Sequence, residues 1–328
     1  LGTPGSEDPR RGRLFATALE DFVACPWQGV LTRFLDVGPV PDPLEEVPQA
    51  DERLAGILVH RVLEAALREV LPARGGMVRD VARREPEVMP WPGEEVIARL
   101  SRREASRLLE EEGIRLPGLA ELLAIRVEPY LDIARRTDWA SGGPSVVGAE
   151  VEGWTEVAGR RIGFRADRAD LVEGRLVLTD YKTGKPFADV KSPDLRRAKL
   201  RDRVAHGKSL QAVAYAQAQE VDAATGRYLF LGPGPADEVR SVQVRDFDEE
   251  VTAAFETTVK ALLDALEAGA LFPRLVEPDK DREPDRCRTC RVKEACVRGE
   301  SGDRGRLSRF AATAEGPFAA LWRLPGGK

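Results

Sequence analysis

LVLTDYKTGK, residues 176–185, reads as an apolar strand that ends in reactive side chains. The apolar run leads up to Asp180, and Tyr181, Lys182 and a Gly-bearing turn follow. Residues two apart along a strand face the same side. Asp180 and Lys182 therefore share one face, and Tyr181 takes the other. The preceding stretch GFRADRAD, residues 163–170, brings Asp167 and Asp170. A hairpin turn at Glu173-Gly174 would set one of these carboxylates beside Asp180. Two carboxylates at a strand end make an oxygen-rich site suited to Mg²⁺ or Mn²⁺, which take one or two protein carboxylates and keep several waters. Such a cation acidifies a water and offsets charge on a phosphoryl oxygen. Lys182 is then the group to orient the water and stabilise the transition state. A bare D-x-K also occurs on ordinary salt-bridged hairpins, so the weight lies in the context: the apolar strand before it and the acids on its neighbour.

Outward from this point, residues 145–185 read as three strands, with turns at Ala158-Gly159 and Glu173-Gly174. A basic stretch, KSPDLRRAKLRDRVAHGK, covers 191–208 and is either a solvated helix face or a place where phosphates track. A helix is expected around 209–221, strands at 226–232 and 238–247, and a long helix over 248–270. Upstream, 15–38 reads as a helix, a break at Cys25-Pro26 and a second short helix, followed by a Pro-rich loop over 38–48. The stretch 51–71 is strongly amphipathic: Leu54, Leu58, Val62, Leu63 and Ala65 recur at helical spacing. With two further helices near 93–112 and 117–137, it forms a helical insertion over 50–140 ahead of a catalytic core at 145–250. The expected fold is α/β, a mixed β-sheet flanked by helices, forming one domain over 14–298. Residues 1–13 read as a linker. Residues 299–328 read as a basic tail with Phe310, Phe318 and Trp322 as docking points.

The other candidate residues are weaker alone. His60 is one of two histidines and sits among apolar neighbours, where a histidine is more often a core residue than a ligand. Imidazole nonetheless suits Mn²⁺ better than a pure Mg²⁺ cage. Gln211 and Tyr215 are four apart and share a helix face, where Gln can bond a nucleotide or a metal-bound water and Tyr can stack or hold a phosphate. Cys287, Cys290 and Cys296 form C-x2-C-x5-C, and Cys25 is the last of the four cysteines. Four thiolates suit Zn²⁺ or an iron–sulfur cluster. The single close pair departs from the two pairs of a zinc ribbon and favours the cluster. Either would tie the two chain ends together.

Length and composition fit a globular protein: 328 residues, 42% hydrophobic, 32% charged, net charge −5. The negative balance argues against a uniformly basic coat but leaves room for a local basic groove. No apolar run approaches a membrane span, and the N-terminus has no signal core, so a cytoplasmic protein without membrane contact is expected. The first residue is Leu1, which suggests a processed chain or a piece of a longer one. DRVAHGKS approaches a phosphate-binding loop, but Asp202 stands where its first glycine belongs, so no ATPase motor is expected in this chain.

Together these elements resemble the RecB-like nucleases with an iron–sulfur staple, most nearly the nuclease domain of AddB-type helicase–nuclease subunits. The resemblance runs over about 14–298 and rests on an order: CPW at 25–27, G-x-x-x-H at 56–60, FRADRAD, DYKTGK, QAVAY and the cysteine cluster. It implies the restriction-endonuclease-like core. It implies His60, Asp167 and Asp180 as ligands of Mg²⁺ or Mn²⁺, and Lys182 serving the water and the transition state. Gln211 and Tyr215 match the family's Q-x-x-x-Y helix, and the resemblance implies them as catalytic residues with Asp167, Asp180 and Lys182. Cys25, Cys287, Cys290 and Cys296 match the ligands of a 4Fe-4S cluster, with Zn²⁺ the alternative. The implied activity is phosphodiester hydrolysis in single-stranded DNA or unwound ends, exonucleolytic rather than strictly endonucleolytic, in repair or recombination. A helicase subunit or domain would supply the motor. Arg168, Arg196, Arg197 and Lys199 are the expected DNA contacts. The sequence departs from the family at Phe164, where a glycine is usual, which would tighten the approach of DNA. It departs also at Ala16-Thr17, where the first helix often opens with Ser. The rival reading is a stapled DNA-end-binding module that does not cut.

Overall fold

The structure, a computed structural model, describes residues 5, 7–38, 50–71, 75–276, 283–288, 290–298 and 301–324. Most of the expected Pro-rich loop and most of residues 1–6 lie outside them.

A two-residue strand β1 (Leu14–Phe15) leads into helix α1 (Ala16–Ala24), which stops at Cys25; α2 (Pro26–Gly29) follows with proline in its first turn. The helical layer begins with α3 (Glu52–Val70). Asp51 caps it, accepting from Leu54 N–H at 2.7 Å. Its expected apolar stripe is real: Leu54, Leu58, Val62, Leu63 and Ala65 are all buried. After β2 (Gly76–Met77), α4 (Val78–Val81) and β3 (Glu87–Val88) come the long α5 (Glu94–Glu111) and α6 (Leu119–Asp138). These two pack on α3.

The sheet is carried by β4 (Ser145–Val157), β5 (Arg160–Val172), β6 (Arg175–Lys182), β7 (Ala224–Phe230) and β8 (Ser241–Arg245). Both hairpin turns form where the Gly dipeptides stand. Ala158 and Gly159 have φ of 50° and 73°, and Glu173 and Gly174 have 50° and 76°. Two consecutive left-handed residues match the twist of the strands they join. The order is β2-β4-β5-β6-β7-β8, with β1 on β5 and β3 on β4. The β4–β5, β5–β6 and β7–β8 pairs are antiparallel; β6–β7 is parallel. A parallel neighbour needs a crossover. Here it is α7 (Pro193–Ala205) and α8 (Gln211–Ala216).

The sheet divides two apolar layers. One face carries α1, α8, the long α9 (Glu249–Glu267) and the last helix α11 (Gly316–Arg323); the other carries α3, α5 and α6. Two expectations need correction. The helix expected over 209–221 spans Gln211–Ala216 only, because the chain turns out of it to feed β7, with Gln219 N–H bonded to Trp154 O at 2.9 Å. The expected tail carries two helices among its described residues, α10 (Ser301–Thr313) and α11. Leu321 and Trp322 join the core, and Arg274 donates to their carbonyls at 2.9 and 3.0 Å. Phe318 and Trp322 dock on Phe272, whereas Phe310 is exposed beside Phe318.

Candidate active site

The site sits where β5 lacks a neighbour. On one edge of β5, β1 pairs with Ile162 and Gly163, and β6 pairs from Arg168 to Val172. Among the described residues, 164–167 between them have no strand beside them on that edge. One step past the last pair, Arg168 with Thr179, Asp167 and Asp180 stand across the fork. Backbone groups in such a gap need other partners. Tyr215 supplies one: its hydroxyl donates to Arg165 O at 2.7 Å. Asp167 supplies another: its Oδ2 accepts from Tyr181 N–H at 2.6 Å.

His60, Asp167, Asp180 and Lys182 meet at this fork. His60 reaches over from α3, with Nδ1 3.1 Å from Asp167 Oδ1. Its side chain is 35% exposed, so it is not a core histidine. Asp180 is 4% exposed. Its Oδ1 accepts from Gln211 Nε2 at 2.9 Å. Its Oδ2 lies 2.8 Å from Lys182 Nζ as an ion pair, yet takes no hydrogen bond. Lys182 Nζ donates instead to Gln211 Oε1 at 2.8 Å. Gln211 thus bridges acid and lysine through its amide.

Charge is crowded here. Burial pushes Asp180 up to about 6; the Lys182 ammonium opposes the rise and Asp167 adds to it. Burial works against a charged His60, but the Asp167 carboxylate outweighs it and holds the imidazole at about 9. Burial likewise opposes the Lys182 charge, and the Asp180 carboxylate overcomes it, so the amine is held above its usual range.

Two further acids belong to this neighbourhood and were not singled out in the sequence. Glu150 stands opposite Asp167 in the β4–β5 ladder, between the pairs Ala149–Arg168 and Val151–Ala166, and is paired with Arg165. Burial, then the Asp167 charge, raises it to about 7. It lines a cleft of about 850 Å³ with Glu64, Arg68, Glu152 and Arg165. Glu20 on α1 accepts from Leu210 N–H at 2.7 Å, at the start of the helix that carries Gln211, and burial raises its pKa. Both read in the sequence as ordinary surface acids, and no pattern marks them.

Several expected contacts fall elsewhere. Arg168 is 0% exposed and bonded to Asp170 and Tyr181, so it is no DNA contact; it lies one residue from Asp167 and on the opposite face of β5. Asp170 is spent on the same ion pair, which leaves Asp167 as the acid beside Asp180. The basic α7 packs on α9 and on β8 at the sheet edge. There Arg196 bonds the carbonyls of Val190 and Lys191, and Arg197 pairs with Asp194 and Asp248; Lys199 is exposed. Tyr215 is fully buried and offers no face for a base to stack on. Phe164 packs on Tyr215 over Gly153, where a Cβ would stand 2.4 Å from its ring, so it does not narrow an approach to the strand.

The four cysteines line one small cavity with Trp27, Arg274 and Val292. None is in a disulfide. Burial raises Cys287 to about 11 and lifts Cys296 above its usual value. Trp27 Nε1 bonds Ala295 O at 3.2 Å, and Arg286 bonds Ala24 O, so the two distant segments also touch through protein groups. Among the described residues, no group of three or more His, Cys, Asp or Glu converges tightly enough to form a metal cage. The fork still has the ligand chemistry for a hydrated divalent ion: the Asp167 and Asp180 carboxylates and the His60 imidazole. No described helix is long and apolar enough to cross a membrane.

No curated protein matches the chain. Thirteen chains of solved structure do; one, titled "Crystal structure of SSO0001", is 16% identical, with 74% of this chain and 94% of that one covered and a TM-score of 0.28. A family model described as the PD-(D/E)XK nuclease superfamily matches residues 13–297, nearly the whole chain and all of the fork. The chain belongs to the PD-(D/E)XK nuclease superfamily.

Proposed function

We propose that this chain is a Mg²⁺- or Mn²⁺-dependent deoxyribonuclease that hydrolyses single-stranded DNA or unwound ends, as an exonuclease. The observation that carries the reading is the meeting of His60, Asp167, Asp180 and Lys182 at the unpaired edge of β5. Asp167, Asp180 and His60 would hold the cation. When bound, a divalent cation neutralises phosphoryl charge and lowers the pKa of water. Asp180 keeps Lys182 protonated beside the position of the scissile phosphate. Lys182 then stabilises the charge that develops there. Gln211 fixes the lysine and aspartate relative to one another. His60 would hold a cation only as the neutral imidazole, so binding there would release its proton to solvent.

The order of motifs supports an AddB-type setting in the cytoplasm: DNA repair, with a helicase subunit or domain delivering the strand. The shared cavity of Cys25, Cys287, Cys290 and Cys296 supports a 4Fe-4S staple, with Zn²⁺ the alternative. The test is cleavage of end-labelled single-stranded DNA in Mg²⁺ or Mn²⁺ by anaerobically purified protein, beside Asp180→Asn. Cleavage by the wild type and a loss of about 10²-fold or more in the variant, with DNA binding retained, is the expected result. Equal activity in both would remove Asp180 from catalysis and sink the reading.

A further inference from the structure

Arg168 and Asp170 have no task in the chemistry proposed above, yet both are buried directly behind it. Arg168 Nε and Nη2 donate to Asp170 Oδ2 at 3.1 and 2.9 Å. Its Nη1 donates to the Tyr181 hydroxyl at 2.8 Å, and Nη2 also bonds Asp138, the last residue of α6. Arg227 of β7 holds the same Asp138 at 2.7 and 3.2 Å and bonds Thr179 Oγ1 at 2.9 Å. Two cations and two anions therefore balance in the interior, with side chains 1 to 12% exposed. Such a network is a poor source of stability, because desolvating four charges cancels much of their attraction. Its geometry offers another use. Tyr181 is the link to the fork: its N–H holds Asp167 Oδ2 at 2.6 Å, and its ring meets His60 edge-on, 6.1 Å between centroids at 78°.

We infer that Asp138, Arg168, Asp170 and Arg227 are positioning residues: they fix Tyr181, and through it the Asp167 carboxylate and the His60 ring. None of them touches the reacting groups. The effect on catalysis rests on the nuclease reading above; the effect on His60 and Asp167 does not. Displacing a catalytic group by ~1 Å can cost about 10²-fold in rate, so a rigid mount behind Asp167 is worth its desolvation. The network also ends on α6, so it connects the helical layer to the fork through side chains rather than through the sheet backbone.

Two variants separate positioning from bulk stability. Tyr181→Phe keeps the ring and the backbone N–H and removes the hydroxyl that accepts from Arg168. A fourfold variant, Asp138→Leu with Arg168→Met, Asp170→Leu and Arg227→Met, replaces the charges by apolar groups, a change that buried networks often tolerate without loss of stability. Each would be studied as the full chain. The readouts are ¹⁵N-histidine spectra of metal-free protein, Mn²⁺ binding by calorimetry, thermal unfolding and DNA cleavage. His206→Ala identifies the His60 signal, since the chain has two histidines. With Tm preserved, we expect a shifted His60 signal, weaker Mn²⁺ binding and kcat lower by about tenfold, with KM for DNA within about twofold. Folded variants whose His60 signal, Mn²⁺ affinity and kcat all match the wild type would reduce the network to a structural part. If the fourfold variant does not fold, Tyr181→Phe decides alone. A wild type inert on DNA would defeat the nuclease reading, and the His60 signal would still decide this one.

Discussion

Asp180 and Glu150 hold carboxylates in places that resist charge, and His60 beside them is held charged by Asp167. Asp180 is raised from 3.8 to about 6, Glu150 from 4.5 to about 7 and His60 from 6.5 to about 9. In each case the folded pKa lies above the unfolded one, so the native state binds more protons. Stability is then fully present below the unfolded values and is lost as pH rises through the folded ones. The windows follow one another from pH 3.8 to about 9. Metal-free protein should therefore melt at a lower temperature at pH 9 than at pH 6. Mn²⁺ should remove most of that slope by replacing the protons. Thermal unfolding across pH, with chelator and then with Mn²⁺, checks it; a slope unchanged by Mn²⁺ would mean that the cation does not bind these groups. The residues of this site were unevenly legible. D-Y-K exposed its acid and lysine through alternation at the end of an apolar strand that follows a strand with acids of its own. Which of Asp167 and Asp170 stands beside Asp180 is a matter of strand face and register, one residue either way, and so is the burial of Arg168. Glu20 and Glu150 become site neighbours only through helix and ladder packing that no local pattern encodes.

At the scale of elements, the short helix α8 depends on a glycine in the strand beneath it. A Cβ on Gly226 of β7 would lie 1.7 Å from Ala212 O, a backbone atom that cannot step aside. Gly226→Ala should cost about 1–3 kcal/mol and lift α8 off the sheet. Gln211 would then leave Asp180 and Lys182, so activity should fall by more than the stability loss accounts for. Gly174→Ala is the control. That glycine has φ of 76° but open space around it, so the cost is the left-handed strain of about 1–2 kcal/mol, with kcat unchanged. Urea unfolding and kcat measured on both variants decide the matter; equal loss of activity would mean that α8 is not what Gly226 protects. Elements bounded by turn chemistry were readable: both hairpins fall on their Gly dipeptides, and α3 on its apolar stripe. The length of α8 was not, because its end is set by the need to enter β7 rather than by a breaker in QAVAYAQAQEV. The parallel pairing of β6 with β7 is likewise a tertiary fact.

Over the whole molecule, the cysteine cavity joins segments separated by roughly 260 residues, from Cys25 to Cys287. Closing a loop of that length in a free chain is worth about 5 kcal/mol on a chain-entropy estimate. The staple need not supply it. Leu14, Leu19 and Phe22 already seat the N-terminal segment in the core, and Phe272, Leu321 and Trp322 seat the C-terminal one. What lacks a core of its own is the stretch that carries three of the cysteines. Among its described residues, Pro284 and Val292 are the buried ones. A bound cluster or zinc ion would therefore order 283–298 locally and leave global stability to the sheet. If the cysteines hold such a metal, Cys290→Ser should remove it, open 283–298 to protease and shift the main unfolding transition by only a few degrees. Metal and sulfide content, limited proteolysis and calorimetry on one preparation test this together. A collapse of the main transition would show instead that the staple carries the fold, and that the packing of α1 against α9 is too weak to hold the ends without it.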